Sequence, residues 1–401
     1  MPELPTPPDL WSPEALADPY PIYDRLRAEQ PVRWTGGEWQ FFRYADVQAV
    51  LRDPRLGADR IQPDEQWLAE TGLAPLFNTH ARMMLFSDPP DHTRLRSLVN
   101  RAFTPRVIEA YRPRVQQIVD LLLDEASTRG EIELISEFAY PLPVTVIAEM
   151  LGVPADMHGQ FRAWSDGVAA FIGGTTRPEA EVLPAAMKAV VEMAGFFLEL
   201  AAERRRAPRD DLLTALALAE DGGDRLSEEE LVANCILLLV AGHETTTNLV
   251  GNGMLALLRH PDQIALLRDH PELTAQAIEE LLRYDSPVQA TSRKALTGLE
   301  IAGQHIEAGQ LVTVFIGAAN RDPAHYTEPA RLDLTRGDVR HLSFSHGAHY
   351  CLGAPLARLE GQVAIGTLVR RFPRMRLADA SPAWRDNFVL RGLEALRLDI
   401  S

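Results

Sequence analysis

The ten residues FSHGAHYCLG, numbers 344–353, combine two histidines, two glycines and a cysteine. Cys351 is one of two cysteines in a chain of 401 residues, the other being Cys235. The stretch that follows, APLARLEGQVAIGTLVRRF (354–372), has the apolar spacing of a helix. Cys351 is therefore predicted to lie just before a helix start, where free backbone amides and the positive end of the helix dipole favour a thiolate.

Three interpretations of Cys351 compete. It could be a small apolar side chain in a turn, as many free cysteines are. It could join His346 and His349 as a zinc ligand, although this spacing offers no obvious fourth ligand for a tetrahedral site. It could be the axial thiolate of a haem iron, which needs one cysteine and no other covalent ligand. Gly347 and Gly353 favour the haem, because backbone without a Cβ can approach a large flat ligand and aim amides at sulfur.

The composition excludes several classes of protein. The chain is 46% hydrophobic, enough for a sizeable core, and its net charge of −16 argues against nucleic acid or anionic lipid as the main partner. Two cysteines suggest a reducing compartment. The N-terminal residues lack the basic and apolar regions of a signal peptide, and the apolar run CILLLVAG (235–242) is too short to span a bilayer. We expect a soluble cytoplasmic protein without a membrane span.

The pattern along the chain predicts one mainly helical domain. No repeat, low-complexity tract or linker interrupts the sequence, so a single domain covering residues 1–401 is expected. Strand-like segments near the start (31–44) and short strands with glycine turns beyond Pro287 form a small β region. Apolar residues at helical spacing predict helices over 107–127, 185–205, 226–260 and 354–372.

The cysteine loop resembles the haem-binding loop of the cytochromes P-450, the haem-thiolate monooxygenases, and the chain looks like a soluble bacterial member. The matching positions are Phe344, Gly347, His349, Cys351 and Gly353. The resemblance implies a single triangular, mostly α domain with haem b between the long central helix and the helix after Cys351. Ser345 departs from the pattern, because the family usually has glycine beside the phenylalanine.

A polar island, AGHETTTN (241–248), interrupts the longest apolar helix. From the residues alone it could be a kink whose hydroxyls bond back to the helix carbonyls. In the family, the positions matching Ala241, Gly242, Glu244 and Thr245 form the groove where oxygen binds. The resemblance implies that Thr245 orients oxygen and an ordered water, while Glu244 connects them to solvent as a proton relay.

Two further motifs match the family. Glu280 and Arg283 in EELLRY stand three apart on a predicted helix and could be an ordinary exposed ion pair. The resemblance implies instead a buried ion network behind the haem, completed by Arg331. It also implies that the two haem propionates are neutralised by His92, Arg96, Arg293 and His349.

The resemblance further implies an apolar small-molecule substrate, hydroxylated or epoxidised with one atom of O2. Because no flavin or iron–sulfur motif is present, electrons are expected from NAD(P)H through ferredoxin reductase and ferredoxin. A basic docking patch is predicted at Arg94, Arg101, Arg106 and Arg358. Gly173 and Gly174 predict a mobile lid. The substrate pocket is predicted at Met84, Leu85, Phe171, Leu237, Val240, Val288, Ala290, Phe388 and Val389.

Three alternative functions remain open at this stage. The same haem could serve a peroxygenase that takes hydrogen peroxide directly, although the Glu244–Thr245 pair argues against it. A zinc-stabilised binding protein without catalysis is a second alternative. A cysteine hydrolase is a third, but the loop offers no clear orienting group or oxyanion hole beside Cys351 and His349.

Overall fold

The structure is a computed structural model that describes residues 10, 12–175, 177–220 and 223–401. Its α-helices are α1 (Pro13–Ala17), α2 (Tyr20–Glu29), α3 (Tyr44–Arg52), α4 (Glu65–Thr71), α5 (Ala74–Ala81), α6 (Asp91–Ala102), α7 (Pro105–Ala110), α8 (Arg112–Ser127), α9 (Pro141–Met150), α10 (His158–Gly173), α11 (Glu179–Arg206), α12 (Leu212–Ala217), α13 (Glu228–Leu258), α14 (Pro261–Asp269), α15 (Thr274–Tyr284), α16 (Ile316–Ala319) and α17 (Ala354–Arg371). Short helical turns of other pitch lie at Met84–Phe86, Ile135–Ala139, Ala155–Met157, Pro271–Leu273 and Gly347–His349.

The β part is small. Its strands are β1 (Val32–Trp34), β2 (Glu38–Phe41), β3 (Leu56–Gly57), β4 (Glu131–Glu133), β5 (Ala290–Ala295), β6 (Leu299–Ile301), β7 (Gln304–Ile306), β8 (Leu311–Phe315), β9 (Arg376–Leu377) and β10 (Arg397–Asp399). A five-stranded sheet has the order β1-β2-β8-β5-β3, in which β2 and β8 are parallel and the other neighbours antiparallel. The other two sheets are β4-β10-β9 and β6-β7. The predicted mainly α class with a small β region is confirmed.

Helix α13 is the central helix. It begins at a capping box, in which the Ser227 side chain accepts from the Glu230 amide and the Glu230 side chain accepts from the Ser227 amide. Between residues 231 and 257, all but Ala241, Gly242 and Thr245 are buried. The helix packs against α9, α11 and α17. No described helix is both long and apolar enough to cross a bilayer.

The ion network of α15 is buried as predicted, but its third member is a different arginine. Glu280 and Arg283 are fully buried and joined by hydrogen bonds of 2.7 and 2.8 Å. The predicted partner Arg331 is wrong, since its side chain is 59% exposed and pairs with Glu328. The Arg336 guanidinium takes this place, 3.2 Å from Glu280 Oε2. Arg331 contributes its backbone carbonyl, which accepts from Arg283.

The two arginines of this segment provide a matched pair of variants. Arg336→Ala should lower the free energy of unfolding by about 3 kcal/mol, because it removes one partner of a buried carboxylate. Arg331→Ala should change it by less than about 0.5 kcal/mol, because that side chain lies at the surface. Urea unfolding of both variants measures the difference. Equal losses in the two variants would contradict the assignment of Arg336.

Candidate active site

The cysteine loop is closed by backbone contacts. The Cys351 amide donates to the Phe344 carbonyl at 2.8 Å, and Gly353 is the cap residue of α17. Gly347 has a φ of +73°, and a Cβ there would lie 2.7 Å from the Leu51 carbonyl oxygen in α3. Glycine at 347 is therefore required by the turn and by the close approach to α3.

The Cys351 thiol lies at the start of α17, as predicted. Burial raises its pKa, whereas the amides of Gly353 and Ala354 and the guanidinium of Arg96 lower it. The amides point at sulfur in the way expected of a helix start, but burial outweighs them. An adjacent metal cation would reverse this balance, since a coordinating thiol loses its proton. The surroundings of the sulfur therefore favour the thiolate once a cation binds it.

Glu279 clamps the cysteine loop, a role that the sequence analysis missed. Its two oxygens accept from Arg358 at 2.7 and 2.8 Å, and one lies 3.2 Å from His341 Nε2. Burial opposes ionisation, but these two partners hold the pKa of Glu279 near 2. The Arg358 guanidinium lies over the Phe344 ring at 4.5 Å. The available signal was the first glutamate of EELLRY, directly before Glu280.

The predicted basic docking patch is largely neutralised. Arg358 is paired with Glu279, and Arg94 is paired with Glu230. Arg106 is exposed, while the side chain of Arg101 lies outside the described residues. The four arginines therefore do not form a free cationic surface, because two of them already have acidic partners within the chain.

Beside the loop lies a cluster of basic groups, called here the cationic rim. The His92 and His349 rings are 4.1 Å apart. Burial, reinforced by the surrounding cations, lowers the pKa of His349 to about 3. Burial lowers the pKa of Arg293 to about 10, and Asp88 partly offsets this effect. The groups that act on His349 are Arg293, His92, Arg96 and Arg60. The four predicted propionate-binding residues are thus brought together, and Arg60 is an addition that the sequence analysis missed.

Among the described residues, the cationic rim lacks a matching set of acids. Asp88 raises the pKa of His92 and of Arg293, but it also accepts the Ala58 and Asp59 amides. Repulsion among close, partly buried cations is costly unless an anion joins them. A group with two carboxylates fits this cluster, and a metal fits the thiol. Iron protoporphyrin carries both features, so the residues fit haem.

The zinc interpretation of the loop finds no support. His346 Nδ1 accepts the Gly347 amide at 2.7 Å, so this nitrogen is not free to bind a metal. In the described part of the chain, no three His, Cys, Asp or Glu side chains are grouped as a metal site. A single sulfur ligand is therefore the remaining metal-binding arrangement of this loop.

The acid of the polar island is held in a buried ion network. Glu244 Oε2 accepts from Arg385 at 2.7 Å, and Oε1 lies 3.3 Å from His243 Nε2. Burial opposes ionisation, but these contacts lower the pKa of Glu244 to about 2. Arg385 also lies 3.6 Å from Asp166, whose side chain is half exposed. Glu244 is therefore an ionised carboxylate connected toward the surface, and Arg385 is a further residue that sequence reasoning missed.

The neighbouring hydroxyl lies on the accessible stripe of α13. Thr245 Oγ1 donates to the Ala241 carbonyl at 2.9 Å, which leaves the oxygen free to accept. Ala241, Gly242 and Thr245 are the accessible residues of this otherwise buried stretch. Thr247, two positions on, points elsewhere, because its hydroxyl donates to the Ala139 carbonyl at 3.1 Å. Glu244 and Thr245 are thus adjacent, but Glu244 is buried whereas Thr245 is accessible.

The predicted pocket residues do not form one packed group. Those in the largest core cluster, or packed against it, are Met84, Phe171, Leu237 and Val240. Ala290 and Phe388 pack in a separate cluster with Tyr23 and Phe315, so their predicted place in a pocket wall finds no support. Val389 packs against that same cluster, and Val288 packs against the sheet cluster. Leu85 is 38% exposed.

Glu360 in α17 is a buried acid without an ionic partner. The residue is 1% exposed, and in the described chain neither carboxyl oxygen has a hydrogen-bond partner of good geometry. Burial raises its pKa to about 8, partly offset by the nearby Thr246 hydroxyl. The group is therefore a neutral carboxylic acid at pH 7, beside the central helix α13.

Glu360 predicts a slope in stability against pH. An unfolded glutamate loses its proton near its ordinary pKa of 4.5, whereas the folded one keeps it until about 8. Between these values the folded state binds more protons, so the free energy of unfolding falls as pH rises, by up to about 1.4 kcal/mol per pH unit. Glu360→Gln should remove this slope in urea unfolding. The exposed Glu300→Gln variant should keep it, and a slope retained by Glu360→Gln would contradict the prediction.

Ser345 predicts a stabilising substitution. Its φ of +61° is in the left-handed region, and its buried hydroxyl has no partner among the described residues. Ser345→Gly should raise the free energy of unfolding by about 0.5–1 kcal/mol, because glycine adopts this conformation without steric strain. Ser345→Ala, which keeps the strain, is the control and should not be stabilised. A stabilised alanine variant would mean that the hydroxyl, not the backbone, is unfavourable.

Known proteins match this geometry along nearly the whole chain. The family model for Cytochrome P450 matches residues 177–383. Cytochrome P450 107B1 of Saccharopolyspora erythraea is 47% identical over 389 residues, 93% of each chain. Vitamin D(3) 25-hydroxylase of Pseudonocardia autotrophica is 44% identical, covering 97% of this chain and 95% of that protein. The crystal structure of P450BioI with a hexadec-9Z-enoic acid ligated acyl carrier protein superposes with a TM-score of 0.92, at 40% identity, over 97% of this chain and 99% of that one.

The similarity agrees with the residues of the site. The cysteine before α17, the buried ion pair of α15 and the acid–alcohol pair of α13 lie within the matched region 177–383. The rim residues His92 and Arg96 lie outside it, but within the span shared with the relatives. The chain therefore belongs to the cytochrome P450 family of haem-thiolate oxygenases.

Proposed function

We propose that residues 1–401 form one monooxygenase domain that inserts one atom of O2 into an apolar small molecule by hydroxylation or epoxidation. The observation that carries this proposal is the Cys351 sulfur, approached by the Gly353 and Ala354 amides and flanked by a cationic rim without matching acids. Haem would satisfy both features, because its iron can bind the thiolate and its two propionates can pair with the cationic rim.

In this proposal each residue of the site has a defined task. Cys351 would hold the iron of haem b through its sulfur, and His92, Arg96, Arg293 and His349 would hold the propionates. Phe344, Gly347 and Gly353 shape the ligand loop, and Ala241 lines the oxygen groove. Haem held by a thiolate supplies the reductive activation of O2 and the transfer of one oxygen atom. The network of Glu280, Arg283 and Arg336 keeps the underlying helices in place.

Glu244 and Thr245 are the proposed proton-handling pair. The Thr245 hydroxyl, anchored to the Ala241 carbonyl, can accept a hydrogen bond from water in the groove. Glu244 is ionised and is therefore ready to accept a proton from the surface side, where Arg385 and Asp166 lie. Passing that proton inward requires Glu244 to leave Arg385, so Arg385 sets how readily the carboxylate moves.

An apolar substrate is supported by the groups around the site and by the relatives. Met84, Phe171, Leu237 and Val240 supply apolar surface beside α13. One relative is named as a vitamin D(3) hydroxylase, and another was crystallised with an unsaturated acyl chain on a carrier protein. The lid remains part of the proposal: α10 ends at Gly173, and Gly174 has a φ of +69°, which gives a glycine hinge before α11.

Electrons are proposed to come from NAD(P)H through ferredoxin reductase and ferredoxin. Arg94 and Arg358 are occupied by Glu230 and Glu279, so ferredoxin docking must use other basic groups, of which exposed Arg106 is one. A hydrogen-peroxide-driven peroxygenase is the alternative for the same haem. The Glu244–Thr245 pair favours the reductase route, because peroxide already carries the electrons that ferredoxin would supply and the protons that this pair would deliver.

Turnover with labelled oxygen tests the proposed function. Apolar compounds are first screened for the change in iron spin state that follows displacement of iron-bound water. With ferredoxin, its reductase and NAD(P)H, a compound that gives this change should yield a product carrying one atom of ¹⁸O from ¹⁸O₂. A product formed only with hydrogen peroxide would favour the peroxygenase. The absence of oxygenated product under both conditions would refute the proposal.

Thr245→Ala should uncouple the reductase-driven reaction. Losing the hydroxyl should lower product formed per NAD(P)H by about tenfold or more, while peroxide-driven turnover changes little. Thr245→Ser should keep most of the coupling, and Thr247→Ala should keep it too, because that hydroxyl faces Ala139. Measuring product and released hydrogen peroxide per NAD(P)H checks this. Full coupling in Thr245→Ala would contradict the assigned role.

A further inference from the structure

Arg60 is a cation that the proposed function does not use. It follows β3, and its side chain is half-buried. Its guanidinium makes a long hydrogen bond, 3.5 Å from Nη1 to the Ser292 carbonyl. In the described part of the chain, no carboxylate lies within ion-pair distance of it, although acids outnumber bases and the net charge is −16. The adjacent Asp59 accepts from Gln62 instead.

Arg60 stands between the cationic rim and an aromatic wall. Its charge acts on Arg293 and His349, which places it beside the rim. On the other side the guanidinium lies 5.0 Å from the centre of the Phe86 ring. Phe86 stacks on His80 at 3.7 Å, and His80 meets the edge of Phe171 at 5.6 Å. These rings join the segment before α6 to the end of α10.

The nearby His80 imidazole does not add a positive charge to that of Arg60. Burial, with a contribution from Arg60, lowers the pKa of His80 to about 3, so His80 is neutral at pH 7. Two propionates are already matched by the four rim groups His92, Arg96, Arg293 and His349. Arg60 is therefore a fifth basic group, at the boundary where the rim meets the apolar wall.

We propose that Arg60 binds the carboxylate of an acidic apolar substrate whose hydrocarbon part extends toward Phe171. This inference rests on the proposed function and narrows its substrate class to apolar acids. A planar guanidinium suits a carboxylate, because it can donate two parallel hydrogen bonds. In a partly buried setting such a pair discriminates strongly against the neutral analogue, which leaves the cation unpaired.

Two ligands that bind the haem iron in the same way, one with a free carboxylate and one without, test the contact with Arg60. Imidazolyl-dodecanoic acid and its methyl ester both bind haem iron through the imidazole nitrogen, so their affinities differ only through the carboxylate. The haem-loaded protein should bind the acid about tenfold or more tightly than the ester, as measured by the shift of the haem absorption band. Arg60→Gln should abolish this preference, and Arg60→Lys should keep part of it.

Arg55→Gln is the matched control, because Arg55 is close in the chain but exposed and paired with Asp53. It should keep the full preference for the acid. Equal binding of acid and ester by the unmodified protein, or a preference that survives in Arg60→Gln, would overturn the proposal. Faster haem transfer from Arg60→Gln to apomyoglobin with an unchanged preference would assign Arg60 to the haem edge and overturn it as well. The carbon monoxide spectrum of each variant reports separately on the haem-thiolate bond.

Discussion

Repulsion within the cationic rim is the physical constraint on which the site depends. A chain with a net charge of −16 has ample acid to neutralise its basic side chains, and many surface arginines here are paired. Beside the cysteine loop, however, burial lowers the pKa values of Arg293 and His349, and the basic neighbours of His349 lower its pKa further. Such a cluster is favourable when a dianion joins it, so the free energy of haem binding and the stability of this region are coupled.

Two kinds of ion pair hold the helices around the site, one fully buried and the other partly exposed. Glu280, Arg283 and Arg336 form a dry, fully paired network that fixes α15 to the segment before the cysteine loop. On the neighbouring position, Glu279 ties α15 to α17 through Arg358, which in turn covers Phe344. Two consecutive glutamates of one helix therefore serve the same loop from two sides. Removing Glu279 leaves Arg358 unpaired near the Cys351 sulfur.

Glu244 and Glu360 are buried acids near the same helix whose surroundings shift their pKa values in opposite directions. Glu244 has a lowered pKa, because Arg385 and His243 overcome the cost of burial. Glu360 has a raised pKa, because no cation meets it. At neutral pH Glu244 is therefore an anion, whereas Glu360 is a neutral carboxylic acid. Only the first is connected toward the surface through charged side chains.

The sequence predicted the parts of the fold and site that depend on local pattern. The Cys351 loop before a helix and the spacing that pairs Glu280 with Arg283 follow from residues close in the chain, whereas the burial of that pair was implied by the family resemblance. The parts it missed depend on contacts between distant segments: Arg336 reaches Glu280 across 56 positions, and Arg385 reaches Glu244 across 141. Arg331 and Arg336 lie in one short segment, and only packing decides which side chain turns inward. Arg60 carried no local signal.

The carbon monoxide difference spectrum of the reduced protein tests the central claim most directly. If Cys351 binds haem iron as a thiolate, the purified protein should contain one haem, and its Soret band with carbon monoxide should show the red shift that sulfur ligation causes. Cys351→Ser should lose that shift while the fold persists. A colourless protein, an unshifted Soret band, or a red shift that survives in Cys351→Ser would contradict the account.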